Sequence, residues 1–138
     1  MTAKEYLQQY RNAEDSINAK LDQIHKLREL ATKTTQTLTA DNVQSSGSND
    51  KISAIVSKIV DMENEVDAEI DKLHDVKKHV QEVISAVPNA KQRAVLTRRY
   101  INGYTWERIA VELNISYQWV CELHGRALQN ILQTVDRS

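Results

Sequence analysis

Apolar residues return every three or four positions along most of this chain, the period of a helix with one buried face. From residue 3 to 31, Ala3, Tyr10, Ile17, Ile24 and Ala31 hold heptad position a, with Tyr6, Ala13 and Leu27 at d. Leu7 and Leu21 widen the stripe at e, and Lys20 breaks it at d. The pattern lapses over Thr32–Asp50, a Thr-, Ser- and Asn-rich stretch holding one Gly, which reads as a solvated connection. It resumes more cleanly from Lys51 to Val87. Ile52, Ile59, Val66, Leu73, Val80 and Val87 are at a; Ile55, Met62, Val76 and Val83 are at d; Glu69 is the one exception, with Ile70 beside it. Such a helix would be roughly 55 Å long at 1.5 Å per residue, and its seam needs a partner helix. The nearest is helix 3–31, folded back as an antiparallel hairpin. Pro88 then marks a joint, followed by expected helices over 88–101, 105–113 and 116–133. The fold expected is all-α: a helical hairpin or coiled coil over 1–87 (connection about 32–50) and a helix-turn-helix domain over 88–138.

The helix-turn-helix reading rests on Trp106 to Gly125. Ile109, Leu113, Ile115, Val120 and Leu123 stand where its two helices face each other, and Ala110 where the backbones approach. Asn114 occupies the left-handed position that ends the first helix. Ser116 is placed to accept from the free N–H groups opening the second, and Thr105 to cap the first. Val95, Leu96, Tyr100, Leu128 and Ile131 complete the expected core, with Trp106 at its edge or on the surface.

With its flanks, Val87 to Leu132 resembles region four of bacterial sigma factors. The marks are Val87-Pro88, Arg99-Tyr100, Gly103, Thr105, Ile115-Ser116 and Arg126-Ala127-Leu128. The long helical N-terminal part is similar to that of ArpU-type late transcription regulators of phages and prophages of Gram-positive bacteria. The resemblance implies binding of double-stranded DNA at late-gene promoters and contact with host RNA polymerase. Nothing in residues 1–87 resembles the core-binding and promoter-melting regions of a full sigma factor, so recruitment or activation is expected rather than independent promoter opening.

Composition narrows the class. Only three Gly and one Pro interrupt 138 residues, as a nearly all-helical chain requires. The single Cys121 cannot form an internal disulfide, which suits a cytoplasmic protein. No apolar run approaches the ~18 residues of a membrane span. Charge is uneven: residues 1–87 hold 11 Lys and Arg against 15 Asp and Glu, a net of −4, and residues 88–138 hold 7 against 4, a net of +3. A basic C-terminal part suits phosphates, although the modest excess predicts weak, salt-dependent affinity.

If the second helix of the motif enters the major groove, Tyr117, Gln118, Trp119, Cys121 and Glu122 meet the bases. Sigma factors carry arginines at matching positions; here Tyr117, Trp119 and Cys121 replace them, so bidentate Arg–guanine contact is lost and a different sequence should be read. Gln118 can pair with adenine and Glu122 can accept from cytosine. Exposed aromatics also mark protein interfaces, which leaves a protein-contact reading open for Tyr117 and Trp119. Arg93, Arg98, Arg99, Arg108 and Arg126, with the Thr105 and Ser116 hydroxyls, are the candidate phosphate contacts. Each arginine is equally readable as a surface charge or a local ion pair.

No active site is legible. Asp71, His74, Asp75 and His79 share a charged helix without a metal-binding motif, and Cys121 has no paired His or second thiol, so neither metal, cofactor, small-molecule substrate nor enzyme chemistry is expected. Self-association, as a dimer, is expected through Ile52, Ile55, Ile59, Met62, Val66, Ile70 and Leu73. The function expected is a sequence-specific DNA-binding transcription regulator. A small-terminase-like DNA-packaging subunit and a coiled-coil protein adaptor are the alternatives.

Overall fold

The computed structural model describes the backbone of residues 1–41 and 46–137 and the side chains of residues 1–36 and 49–131. The protein is all-α. Its helices are α1 (Ala3–Asp41), α2 (Ser46–Ser85), α3 (Ala90–Leu96), α4 (Trp106–Leu113) and α5 (Tyr117–Arg137), with α3 widening into a π-helical turn over Thr97–Ile101. Among the described residues, no helix is long and apolar enough to cross a membrane. The chain divides into two compact units, residues 15–72 and residues 1–14 with 73–138.

Both long helices reach into the stretch expected to be a connection. The hydroxyls that argue against helix in Thr32, Thr34 and Thr35 bond back to the carbonyls of Arg28, Leu30 and Ala31 at 3.0, 2.8 and 2.9 Å. Satisfied inside the helix, they no longer compete with it. Residues 42–45 of that stretch lie outside the described residues. At its other end α1 opens on a reciprocal cap: Glu5 N–H donates to Thr2 Oγ1 and Thr2 N–H to Glu5 Oε2, both at 3.1 Å.

In residues 15–72 the two helices run antiparallel, because partners fall in number on α2 as they rise on α1. Lys20 is bound to Glu69 and lies 3.7 Å from Glu65, and Arg28 is bound to Glu63. Among the described residues, Ile17, Ile24, Ile55, Ile59 and Val66 are the buried hydrophobic residues of this unit. Lys20 and Glu69, the two polar residues that break the apolar seams, meet each other. The hydrogen bond to Glu69 holds the Lys20 ammonium above its ordinary pKa. A polar pair within an apolar seam fixes register, since any slip would bury each charge alone.

The other unit has two cores. One joins Ala3, Leu7 and Tyr10 of α1 and Val80, Ile84 and Val87 near the α2 end to Leu96, Tyr100, Ala127 and Ile131. The second joins Val95, Ile109, Ala110, Val120 and Leu123, flanked by Tyr104, Trp106, Leu113, Ile115 and Trp119. Adjacent residues Val95 and Leu96 are both fully buried, one in each core. α5 likewise serves both, Val120 and Leu123 in one and Ala127 and Ile131 in the other. The third helix starts at Ala90 rather than Pro88, because the Asn89 side chain caps it by accepting from Gln92 N–H at 3.0 Å. Buried Gln92 in turn accepts from Asn130 Nδ2 at 2.7 Å, tying α3 to α5.

Candidate nucleic-acid interface

The turn between α4 and α5 is built from backbone requirements met locally. Asn114 adopts φ 55°, ψ 47°, the left-handed conformation that reverses the chain, and Ile115 N–H returns to Ala110 C=O at 3.0 Å. Thr105 Oγ1 accepts from Arg108 N–H at 3.2 Å and Ser116 Oγ from Trp119 N–H at 3.0 Å. Each hydroxyl keeps its own proton for an outside acceptor. With Val120, Leu123 and Ala127 buried, α5 turns an opposite face outward: Tyr117, Gln118, Cys121, Glu122, Gly125, Arg126 and Gln129 are exposed. A Cβ placed on Gly125 would meet nothing within 4 Å, so this face is open at its middle.

The expected base-reading residues separate into two groups. Tyr117, Gln118, Cys121 and Glu122 lie on the outward face. Trp119 is half-buried against the α4–α5 core, with the Arg126 guanidinium 5.3 Å from its ring. Arg126 also pairs with Glu122 at 2.5 Å, so that carboxylate is held by a neighbour one turn on. The Cys121 side chain raises the pKa of the Tyr117 phenol, which accordingly stays protonated.

The arginines divide as well. Arg93 donates to the carbonyls of Val87 and Pro88 at 2.6 and 2.9 Å, locking the joint between α2 and α3. Arg98 reaches Ala94 C=O at 3.3 Å and Glu112 at 3.5 Å. Arg99 donates to Tyr104 C=O at 3.0 Å and lies 4.2 Å from the Trp106 ring centroid. These three are half-buried, whereas Arg108 and Arg126 are exposed, Arg108 stacking at 3.6 Å over Tyr104.

A cluster the sequence did not single out supports α5 from behind. The Tyr100 hydroxyl and His124 Nε2 share a hydrogen bond at 2.7 Å, and Trp106 meets the imidazole edge-on at 4.6 Å. Burial lowers the His124 pKa to about 4, helped by Lys4 and Arg99, so the ring is neutral near pH 7. Burial also pushes Tyr100 up to about 12, which keeps the phenol protonated. The only sequence signal was helical spacing: His124 follows buried Leu123, and Tyr100 ends the preceding apolar run. Gly103 closes that run at φ +72°, where an added Cβ would lie 2.5 Å from the Arg11 guanidinium of α1.

Of the residues expected to mediate self-association, Ile55, Ile59 and Val66 are buried and Ile52, Met62 and Ile70 half-buried. Leu73 packs beside the core shared with α5.

A family described as "Protein of unknown function (DUF722)" matches residues 7–131, which include most of both units. Over 66 residues, 45% of this chain, the sequence is 35% identical to the RNA polymerase sigma factor SigO of Bacillus subtilis (strain 168). The match spans 38% of that relative's length. No solved structure matches the chain.

Proposed function

The chain belongs to the DUF722 family, and from that premise we propose that it is a sequence-specific DNA-binding transcription regulator that acts at promoters. The observation that carries this reading is the outward face of α5, polar, unpacked and presented by a capped, left-handed turn. Similarity to a protein named as a sigma factor supports it. On this reading α5 lies in the major groove, where Gln118 pairs with adenine and Glu122 accepts from cytosine. Tyr117 and the exposed edge of Trp119 touch thymine methyl groups. Thr105, Ser116, Arg108 and Arg126 hold phosphates, while Arg93, Arg98 and Arg99 act first as internal locks of the scaffold. The resemblance to ArpU-type regulators supports a late-gene promoter of a phage or prophage as the target, RNA polymerase as a further partner and the hairpin as the self-association region.

Selection from a random duplex pool at near-physiological salt tests the reading. One motif should be enriched, and its enrichment lost in a Gln118→Ala, Glu122→Ala double variant. Retention without any motif would favour backbone-only binding, as in a packaging subunit. A second reading, a protein adaptor, draws on a specific observation: three of the five candidate arginines are half-buried and bound to the protein's own backbone carbonyls, and Val111 and Tyr117 are exposed at 80% and 48%. It requires that no duplex be retained even at low salt.

A further inference from the structure

We propose that one groove of the hairpin unit is a self-association surface whose occupant is the same groove of a second copy of this chain. The seam itself is unavailable, since Ile55, Ile59 and Val66 are 8%, 8% and 4% exposed. Among the described residues, the exposed large apolar side chains of this unit lie outside it: Leu21 is 46% exposed, Leu30 41%, Val56 48% and Val60 47%. Val56, Val60, Glu63, Asp67 and Ile70 are spaced four, three, four and three residues apart, a single line along α2. Leu21, His25 and Arg28 repeat that spacing on α1. The groove has Leu21, His25 and Arg28 on one bank and Glu63, Asp67 and Ile70 on the other, and Val56 and Val60 continue the α2 line beyond it.

One bank therefore donates hydrogen bonds and the other accepts them, with an apolar residue at the same end of each. Such a surface is complementary to itself under a two-fold axis running along the groove. That axis lays α1 of one copy over α2 of the other without changing height along the hairpin. Leu21 then meets Ile70 of the second copy, and His25 and Arg28, paired within their own chain with Glu29 and Glu63, come to face its Asp67 and Glu63 as well. A two-fold axis across the groove would instead lay acidic bank on acidic bank. Charge thus selects two hairpins running in the same direction. Asp67 forms no ion pair among the described residues and is free to take the new partner.

The inference rests on the self-association part of the function proposed above and not on its DNA part, so it is tested without DNA. Sedimentation velocity of the full chain over a dilution series should show a dimer. The exposed pair Val56→Glu, Val60→Glu should weaken it more than about tenfold at unchanged helicity. Asp67→Lys alone should weaken it about threefold, and adding His25→Asp should restore it. Val111→Glu, on α4, should leave it unchanged. A monomer throughout would remove self-association itself. A dimer indifferent to the valine pair, or an Asp67→Lys defect that His25→Asp does not repair, would overturn this surface alone. An assembly of eight or more subunits would also overturn it.

Discussion

Residues 15–72 and the unit formed by 1–14 with 73–138 use the same helical material under opposite rules. In the second unit, each short helix is delimited by a named chemical group: Asn89 opens α3, Thr105 opens α4, Asn114 ends it and Ser116 opens α5. Apolar contacts are then shared between two cores. In the hairpin the interior is one long stripe, so register has to come from an interruption, the Lys20–Glu69 pair. Short helices carry their information at their boundaries; long ones carry it at the breaks in their pattern.

The sharpest way to break this comparison is through Leu7. It is fully buried on α1, in the core that also holds Ala127 and Ile131 of α5. Leu7→Ala should cost the two-core unit about 3 kcal/mol by loss of burial and a residual cavity. Both tryptophans, Trp106 and Trp119, lie in that unit, so the loss should appear in denaturation followed by tryptophan fluorescence. An unchanged fluorescence midpoint would detach the start of α1 from the unit.

Acid should act on the same unit next. His124 titrates at about 4 when folded and near its ordinary 6.5 when unfolded, so the unfolded chain binds the extra proton between those values. Stability is then fully present above pH 6.5 and falls as pH drops toward 4. After allowance for screening, the loss is about 2 kcal/mol. His124→Gln should flatten the fluorescence-monitored pH profile; an equally steep profile would assign the acid sensitivity elsewhere.

The hairpin's rule is tested by Lys20→Met, which leaves Glu69 without its partner. Urea unfolding followed by helicity should show a smaller loss than Leu7→Ala gives, and Lys20→Leu with Glu69→Leu should recover it. If the single variant unfolds like the parent, the pair does not set register.

The smallest effect expected is a gain. Gly125→Ala meets no steric obstacle and should stabilise α5 by up to about 1 kcal/mol. Should DNA affinity fall as stability rises, the gap at Gly125 is where the duplex approaches the helix most closely; if both rise, it is not.

What the sequence made legible follows the same division. Asn114, Ser116 and Thr105 could be placed because each answers to its immediate neighbours. The seams of α1 and α2 could be placed because five and six successive a positions leave little freedom of phase. The extension of α1 past Ala31 was hidden, since threonine favours helix only once its hydroxyl finds the carbonyl four residues back. The meeting of Lys20 with Glu69 was hidden too: each was visible as a flaw, and only the antiparallel register makes them one feature. The arginines were the least legible. Arg93 and Arg99 differ from Arg108 in the carbonyls that happen to lie within reach, which spacing along the chain does not encode. Trp119 belongs to the outward face by its place in the motif, but it sits one position from buried Val120 and leans into the same core.

That α5 belongs to two cores at once has a thermodynamic consequence. Its front half packs with α4 and its rear half with the first turns of α1, so the helix cannot loosen at one end without exposing apolar surface at both. A ligand that grips Gln118 and Glu122 therefore raises the free energy of fraying at Ala3–Tyr10, and slower amide exchange at the start of the chain becomes a distant signal that the face of α5 is occupied.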